Sequence, residues 1–149
     1  MKKTNNKGFS LVELIVVVLI MGILAVALTP QVMKWVEKSR VSTDNTTLNT
    51  FVSDCQVAMT NTKAYKEVVS SAVGASDLTI TISHAAPSGI TANSEFDKAL
   101  KAVIGKDNYN DFILKQKDAS VDVTISHTTG AVTVGTKNNW GDLSEAEDN

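Results

Sequence analysis

The sequence predicts an α+β fold in which a long N-terminal helix packs on a small antiparallel β-sheet. An apolar run from Leu14 to Leu28 leads into a second stretch with helical periodicity. Further along, the segments 78–83, 121–126 and 131–134 alternate apolar and polar side chains, as half-buried strands do. These observations place one long helix before a group of short strands.

The apolar run should be helical, because a single segment in lipid must satisfy its own backbone hydrogen bonds. Gly22 and Pro30 interrupt it. Proline removes one hydrogen bond and clashes with the preceding turn, so we expect the helix to kink near Pro30 or to lose order between the two residues. Alternatively, both residues are simply tolerated, as they often are in membrane helices.

After Pro30 the helix should resume and reach about Asn61. Six apolar side chains fall on one third of its circumference and should cover the sheet: Val41, Leu48, Phe51, Val52, Cys55 and Met59. Asp44 lies on the same side, within a run of weak helix formers, so tertiary packing must hold this part. An unbroken helix from Phe9 to Asn61 would be about 80 Å long, more than one bilayer requires.

The rest of the chain predicts short strands and one further helix. Leu78 to Ser83 is the first strand, and a loop rich in turn residues occupies 85–93. Ser94 is a candidate N-cap for a helix that Gly105 ends.

A shorter strand is expected at 112–115. The strands 121–126 and 131–134 should form a hairpin that turns at 128–130. The acidic end, with Asp142, Glu145, Glu147 and Asp148, reads as a solvated tail.

Glu13 is a lone carboxylate at the start of the apolar run. Such a charge in a membrane-spanning segment costs about 2.5 to 3.5 kcal/mol, so it should have a cationic partner. If the chain is cut after Gly8, the new α-amine of Phe9 supplies that cation about one helical turn from Glu13. A buried pair of this kind fixes register, because a copy docked out of step leaves both charges unpaired.

The combination of a basic leader, a glycine, a phenylalanine and a glutamate four residues later resembles the prepilin signature of type IV pilins and pseudopilins. The resemblance covers roughly the first thirty residues. It implies a pilin-like fold with a leader at 1–8, an apolar transmembrane and polymerisation helix at 9–30, and a globular head at 31–149. It also implies that Gly22 and Pro30 flank a stretch that extends when subunits pack.

The same resemblance implies a set of partners. A prepilin peptidase would cut between Gly8 and Phe9 and methylate the Phe9 amine. An assembly platform and a cytoplasmic ATPase would then draw the subunit from the membrane into a homopolymer. The leader would be cytoplasmic and the head external, with a single-pass membrane form before assembly and a surface filament afterwards.

Two other interpretations of the N-terminus remain. A secretory signal peptide has a basic start, a short apolar core and an A-x-A cleavage site, which Ala25-Val26-Ala27 matches. Cleavage there would discard Glu13 and leave the Gly8–Phe9 junction unexplained. The second interpretation is a plain membrane anchor, although the apolar run from Leu14 to Leu28 is slightly short for a membrane-spanning helix.

Charge and cysteine content exclude several classes of protein. Three of the 14 basic residues lie in the leader, which leaves 11 basic against 16 acidic side chains and a net charge of −5 after processing. Nucleic acid is therefore not an expected partner of the head. Cys55 is the only cysteine, so no intrachain disulfide can form, unlike the C-terminal disulfide loop of many Gram-negative pilins. A buried apolar role is expected for its thiol.

No catalytic constellation, phosphate-binding loop or cofactor motif is found, so we expect no enzyme activity and no cofactor. His84 and His127 end two copies of Thr-Ile-Ser-His, but no cysteine or carboxylate cluster completes a metal site. The segment 107–111 lacks the glycine of a calcium loop. Asn138, Asn139 and Asp142 offer oxygens for calcium, although a solvated turn is the simpler interpretation.

The sequence thus predicts a structural subunit of a type IV pilus. A pseudopilin of a secretion or DNA-uptake apparatus is the alternative, and a C-terminal calcium site would favour its secretion form. A membrane-anchored enzyme is disfavoured by the missing catalytic residues.

Overall fold

A computed structural model describes residues 9–69 and 76–141 of the chain. Within them the elements follow this order: α1 Leu11–Ala58, α2 Thr62–Val69, β1 Leu78–Ser83, α3 Glu95–Ile104, a one-turn 3₁₀ helix Asn110–Phe112, β2 Ser120–Ile125 and β3 Val132–Asn138. The strands form one antiparallel sheet in the order β1-β2-β3. The predicted α+β fold, with a long N-terminal helix packed on a small antiparallel sheet, is confirmed.

The chain divides into two compact units, Met1–Val36 and Glu37–Asn149, which we call the stalk and the head. The predicted boundary at Pro30 between the transmembrane helix and the head stays a prediction. The predicted leader at 1–8 and the acidic tail at 142–148 lie outside the described residues.

The stalk is helical from Leu11 onwards, and α1 continues through Gly22 and Pro30. The single chain therefore shows no loss of helical order between these residues, whereas the predicted kink near Pro30 stays a prediction. Pro30 costs the helix one backbone donor, but helices in apolar surroundings tolerate this loss when nearby side chains bond to the backbone. The hydroxyl of Thr29 donates to the carbonyl of Ala25 at 2.7 Å, one turn earlier. Extension of this stretch on subunit packing stays a prediction.

The head has one core, which the second half of α1 shares with the sheet and α3. All six residues of the predicted stripe are buried except Val52, which is half-buried and packs against the core. The edge of the Phe51 ring meets the Phe112 ring at a centroid distance of 5.0 Å. Every second side chain of β1 and β2 faces inward and completes this core. These side chains are Ile80, Ile82, Val121, Val123 and Ile125.

Asp44 is buried among these apolar side chains, with an exposed fraction of 0%. Its Oδ1 accepts the backbone N–H of Lys115 at 2.6 Å, and its Oδ2 accepts the backbone N–H of Gln116 at 3.0 Å. Oδ2 also accepts the side-chain amide of Gln116 at 3.0 Å. The other end of that amide accepts the N–H of Gly141 at 2.8 Å. Asp44 thus fastens α1 to the segment before β2 and, through Gln116, to Gly141.

These hydrogen bonds of Asp44, which we call the clasp, explain why the strand predicted at 112–115 is wrong. The segment forms a 3₁₀ turn and then an extended loop, because the amides of Lys115 and Gln116 bond to a carboxylate rather than to a neighbouring strand. Phe112 and Leu114 are buried although they are not in a strand, and these alternate apolar residues match the pattern of a strand.

The other predicted elements of the head are largely confirmed. β1 has the predicted bounds, and the hairpin is formed with a turn in which Gly130 has a φ of 70°. Ser94 caps α3 by accepting the N–H of Asp97 at 3.0 Å, and Gly105 ends it with a φ of 72°. α1 ends at Ala58, before the expected Asn61, and the sequence analysis missed α2. The Asn61 side chain accepts the N–H of Lys63 at 2.9 Å, so Asn61 starts α2 instead of ending α1.

Cys55 is a free, fully buried cysteine, as expected. Burial raises the pKa of its thiol to about 12, and the Asp54 carboxylate adds to the shift. In the unfolded chain the pKa of a thiol is about 8.5. The folded head therefore holds this proton more tightly, so its stability is complete below about pH 8.5 and falls as the pH rises towards about 12.

A thiol-labelling experiment checks this prediction. At pH 8 the folded protein should not react with an alkylating reagent, whereas the denatured protein should react fully at its single cysteine. Unfolding midpoints measured between pH 8 and 11 should decrease, and a Cys55→Ala control should lose that part of the decrease. Rapid labelling of the folded protein at pH 8 would contradict the buried thiol.

Candidate assembly site at the start of α1

The first turn of α1 is built around Ser10 and Glu13. The helix begins at Leu11, so Ser10 occupies the N-cap position and Glu13 the third helical position. The Glu13 Oε2 atom accepts the backbone N–H of Ser10 at 2.9 Å, and the Ser10 carbonyl accepts the N–H of Leu14 at 3.2 Å. The Glu13 bond is the back-reaching half of a capping box, in which a carboxylate satisfies a donor at the helix start.

The sequence analysis missed this second role of Glu13. The signal was present, because Ser10 and Glu13 have the spacing of a capping box directly before an apolar run. Glu13 also lies in the first turn, near the positive end of the helix dipole, where an acidic side chain is favourable.

The Glu13 carboxylate retains the capacity to bind a cation. An ionised carboxylate has about four acceptor positions, and the bond from Ser10 uses one of them. Glu13 is exposed, and Phe9 directly precedes the capping residue, with 86% of its surface exposed. Gly8, the predicted residue on the other side of the cleavage point, lies outside the described residues. The proposed pair between Glu13 and a Phe9 amine therefore stays a prediction.

The stalk around this site exposes its apolar side chains on every face. They range from 43% exposed at Val17 to 78% at Val26 within α1. The helix is long and apolar enough to cross a membrane by length and composition. Soluble monomers rarely expose contiguous apolar patches of more than a few hundred Å², so lipid or other protein must cover this surface.

The two predicted helix-breaking positions lie within this exposed surface. Gly22 has no other heavy atom within 4 Å of where a Cβ would stand, apart from the helix's own neighbouring backbone. Trp35 is 65% exposed, and an indole side chain suits the headgroup level of a membrane interface.

The two histidines do not come together. β1 and β2 are antiparallel, with Leu78 opposite Ile125 and Ser83 opposite Ser120, so His84 and His127 follow the strands at opposite ends of the pair. His84 Nδ1 lies 2.9 Å from the carbonyl oxygen of Leu114. His127 Nδ1 lies 2.8 Å from Asp77 Oδ1, and its side chain and backbone bonds lower the pKa of Asp77.

The calcium candidates are engaged otherwise. Asp111 forms an ion pair with Lys106, and the Asn139 amide donates to the carbonyl of Asp118 at 3.2 Å. Asp142 lies outside the described residues. Within 9–69 and 76–141, no group of three or more His, Cys, Asp or Glu side chains is arranged to hold a metal ion.

Comparison with protein-family models gives one finding for the N-terminal region. Residues 3–29 match the prokaryotic N-terminal methylation motif, a structural signal of pilins and pseudopilins and not an enzyme family. Comparison with curated proteins and with solved structures gave no significant match. The matched segment contains Gly8, Phe9, Glu13 and the apolar run. The chain therefore carries the class III signal peptide of type IV pilin-like and pseudopilin precursors.

Proposed function

We propose that the chain is the structural subunit of a type IV pilus filament, which polymerises through its stalk after cleavage between Gly8 and Phe9. The observation that carries this proposal is the stalk surface. From Leu14 to Leu28 the helix has no charged side chain and is exposed on all sides, and Glu13 is the acidic residue at its start. Before assembly lipid covers this surface, and in the filament the stalks of neighbouring copies replace the lipid.

The charges of the stalk set the register of the polymer. The Phe9 amine, of the same copy or of the next one, pairs with Glu13 in the water-excluded bundle of stalks. Such a pair adds little net stability, but a misplaced subunit would bury two unpaired charges, each of which costs roughly 3 to 5 kcal/mol. The pair therefore rejects copies that dock out of step.

The partners follow from the same proposal. A prepilin peptidase cleaves the leader and methylates Phe9, and a membrane platform with its ATPase lifts the subunit out of the bilayer. The head stays outside the cell and forms the surface of the filament. Its single core, which the second half of α1 shares, gives each copy one folded head to place on the polymer.

Electron microscopy of sheared surface material tests the proposal. The parent strain should yield filaments whose main protein is this chain, a deletion strain should yield none, and a plasmid copy should restore them. A chain that is found only in the membrane fraction, or filaments that persist in the deletion strain, would contradict it. Short filaments that appear only on overexpression would favour the pseudopilin alternative instead.

A further inference from the structure

A groove runs along the outer face of α1 within the head, beside the end of α3. Three residues of α1 at helical spacing, Thr46, Thr50 and Asp54, form one wall, and Val103 and Ile104 of α3 form another. The hydroxyls of Thr46 and Thr50 donate to carbonyls of α1 itself, at 3.1 and 2.9 Å. The hydroxyl hydrogens of the two threonines are thus already bonded within α1. Asp54 is the charged side chain of this wall.

Asp54 is half-buried in the groove, and among residues 9–69 and 76–141 it has no hydrogen-bond or ion-pair partner. Burial raises the pKa of its carboxyl. The other carboxylate of the groove, Asp111, is already paired with Lys106. The groove therefore has room for one further cation, and its apolar wall suits the aliphatic stem of a lysine.

Lys38 is a half-buried cation without a partner among the described residues, as Asp54 is a half-buried anion without one. It lies on α1 within the head, it is half-buried, and the described part of the chain offers its ammonium no partner. The nearby carboxylate of Glu37 pairs with Arg40 at 3.4 Å. The other half-buried charged side chains described all have partners within the chain, namely Glu95, Lys101, Asp122 and His127. Lys38 and Asp54 are thus a lone cation and a lone anion on the same helix.

These two charges cannot meet within one copy. They are 16 residues apart on α1, which is about 24 Å at the rise of an α-helix. Two parallel copies offset by about that distance along the helix would bring Lys38 of one to Asp54 of the other. We infer that the groove at Asp54 is an interface between copies of this chain and that it receives Lys38 of a second copy.

This inference rests on the proposed function, because it names a lateral contact of the same polymer. The stalks supply the apolar contact between copies, whereas the pair of Lys38 and Asp54 sets how far one head is displaced from the next. A lone charge left half-buried in each head is neutralised only when the polymer forms, so the contact favours the assembled state.

Charge reversal tests the inference. Asp54→Lys and Lys38→Asp alone each place like charges at the contact and should lower the yield of sheared filaments by about tenfold or more. The double variant should restore most of the yield. Asp107→Lys and Lys66→Glu change exposed charges of the head by the same amount and should assemble like the wild type. Protection of Cys55 from labelling shows in each case that the head is folded.

Thiol cross-linking gives a second, independent readout. Lys38→Cys and Asp54→Cys in the same chain, treated with a short bifunctional maleimide, should link neighbouring copies into a ladder on denaturing gels, while the buried Cys55 stays unreactive. Wild-type filaments with unaffected single reversals and no ladder would overturn the inference and leave the proposed function intact. Absence of filaments from the wild type would overturn both.

Discussion

Replacement of Glu13 by alanine is expected to leave a processed, membrane-inserted protein that forms no filaments. In the proposed pathway cleavage acts between Gly8 and Phe9 and insertion depends on the apolar run, so neither step should need the carboxylate. Assembly should need it, because each copy would otherwise bury an unpaired Phe9 amine, at a cost of roughly 3 to 5 kcal/mol. Electron microscopy of sheared material, with immunoblots of the membrane fraction, measures both parts of the expectation.

Glu13→Gln distinguishes the effect of the Glu13 charge on assembly from the effect of its helix-capping bond. Glutamine keeps a side-chain oxygen that can accept the N–H of Ser10, so the first turn of α1 should be retained. It cannot neutralise an ammonium, so filaments should be lost as in Glu13→Ala. If Glu13→Gln forms normal filaments while Glu13→Ala does not, Glu13 acts as a cap and the ion pair is refuted. Normal filaments from both variants would remove Glu13 from assembly altogether.

Asp44→Ala should destabilise the head more than any change on its surface. It would leave the buried backbone donors of Lys115 and Gln116, and the Gln116 amide, without their acceptor. Losing a buried acceptor of this kind costs roughly 3 to 5 kcal/mol in free energy of unfolding. The rate at which Cys55 becomes accessible to a thiol reagent in mild denaturant measures that loss.

Two further variants show whether the charge or the shape of Asp44 matters. Asp44→Asn keeps the size but turns an amide donor towards backbone donors, so it should lose nearly as much stability as alanine. Thr43→Ala, at the exposed neighbouring position, should change the free energy of unfolding by no more than about 0.5 kcal/mol. Equal labelling rates in Asp44→Ala and Thr43→Ala would contradict the clasp.

Local signals were enough to predict much of this fold. The alternation of Leu78 to Ser83 and the Ser94 and Gly105 caps depend on near neighbours in the chain, so the sequence shows them directly. The apolar stripe of α1 was predictable for the same reason, since its period is that of a helix.

The errors arise where distant residues decide the structure. The loop at 113–117 is held by Asp44, which is 71 residues from Lys115 in the chain, and no local pattern indicates a partner for Asp44. α2 is not predicted, because Asn61 also fits the end of α1, although its side chain caps the start of α2. At the candidate site, Phe9 and Glu13 were identified from their spacing, and the bond of Glu13 to Ser10 was overlooked.

Mass spectrometry of the N-terminus of filament subunits tests the central claim most directly. Sheared filaments should contain a chain that begins at Phe9 and carries a methyl group on its α-amine. That result would place the new amine one helical turn from Glu13 in the assembled material. A mature chain that begins at Leu28 would show cleavage as an ordinary signal peptide, without Glu13 and most of the apolar helix, and would contradict the account.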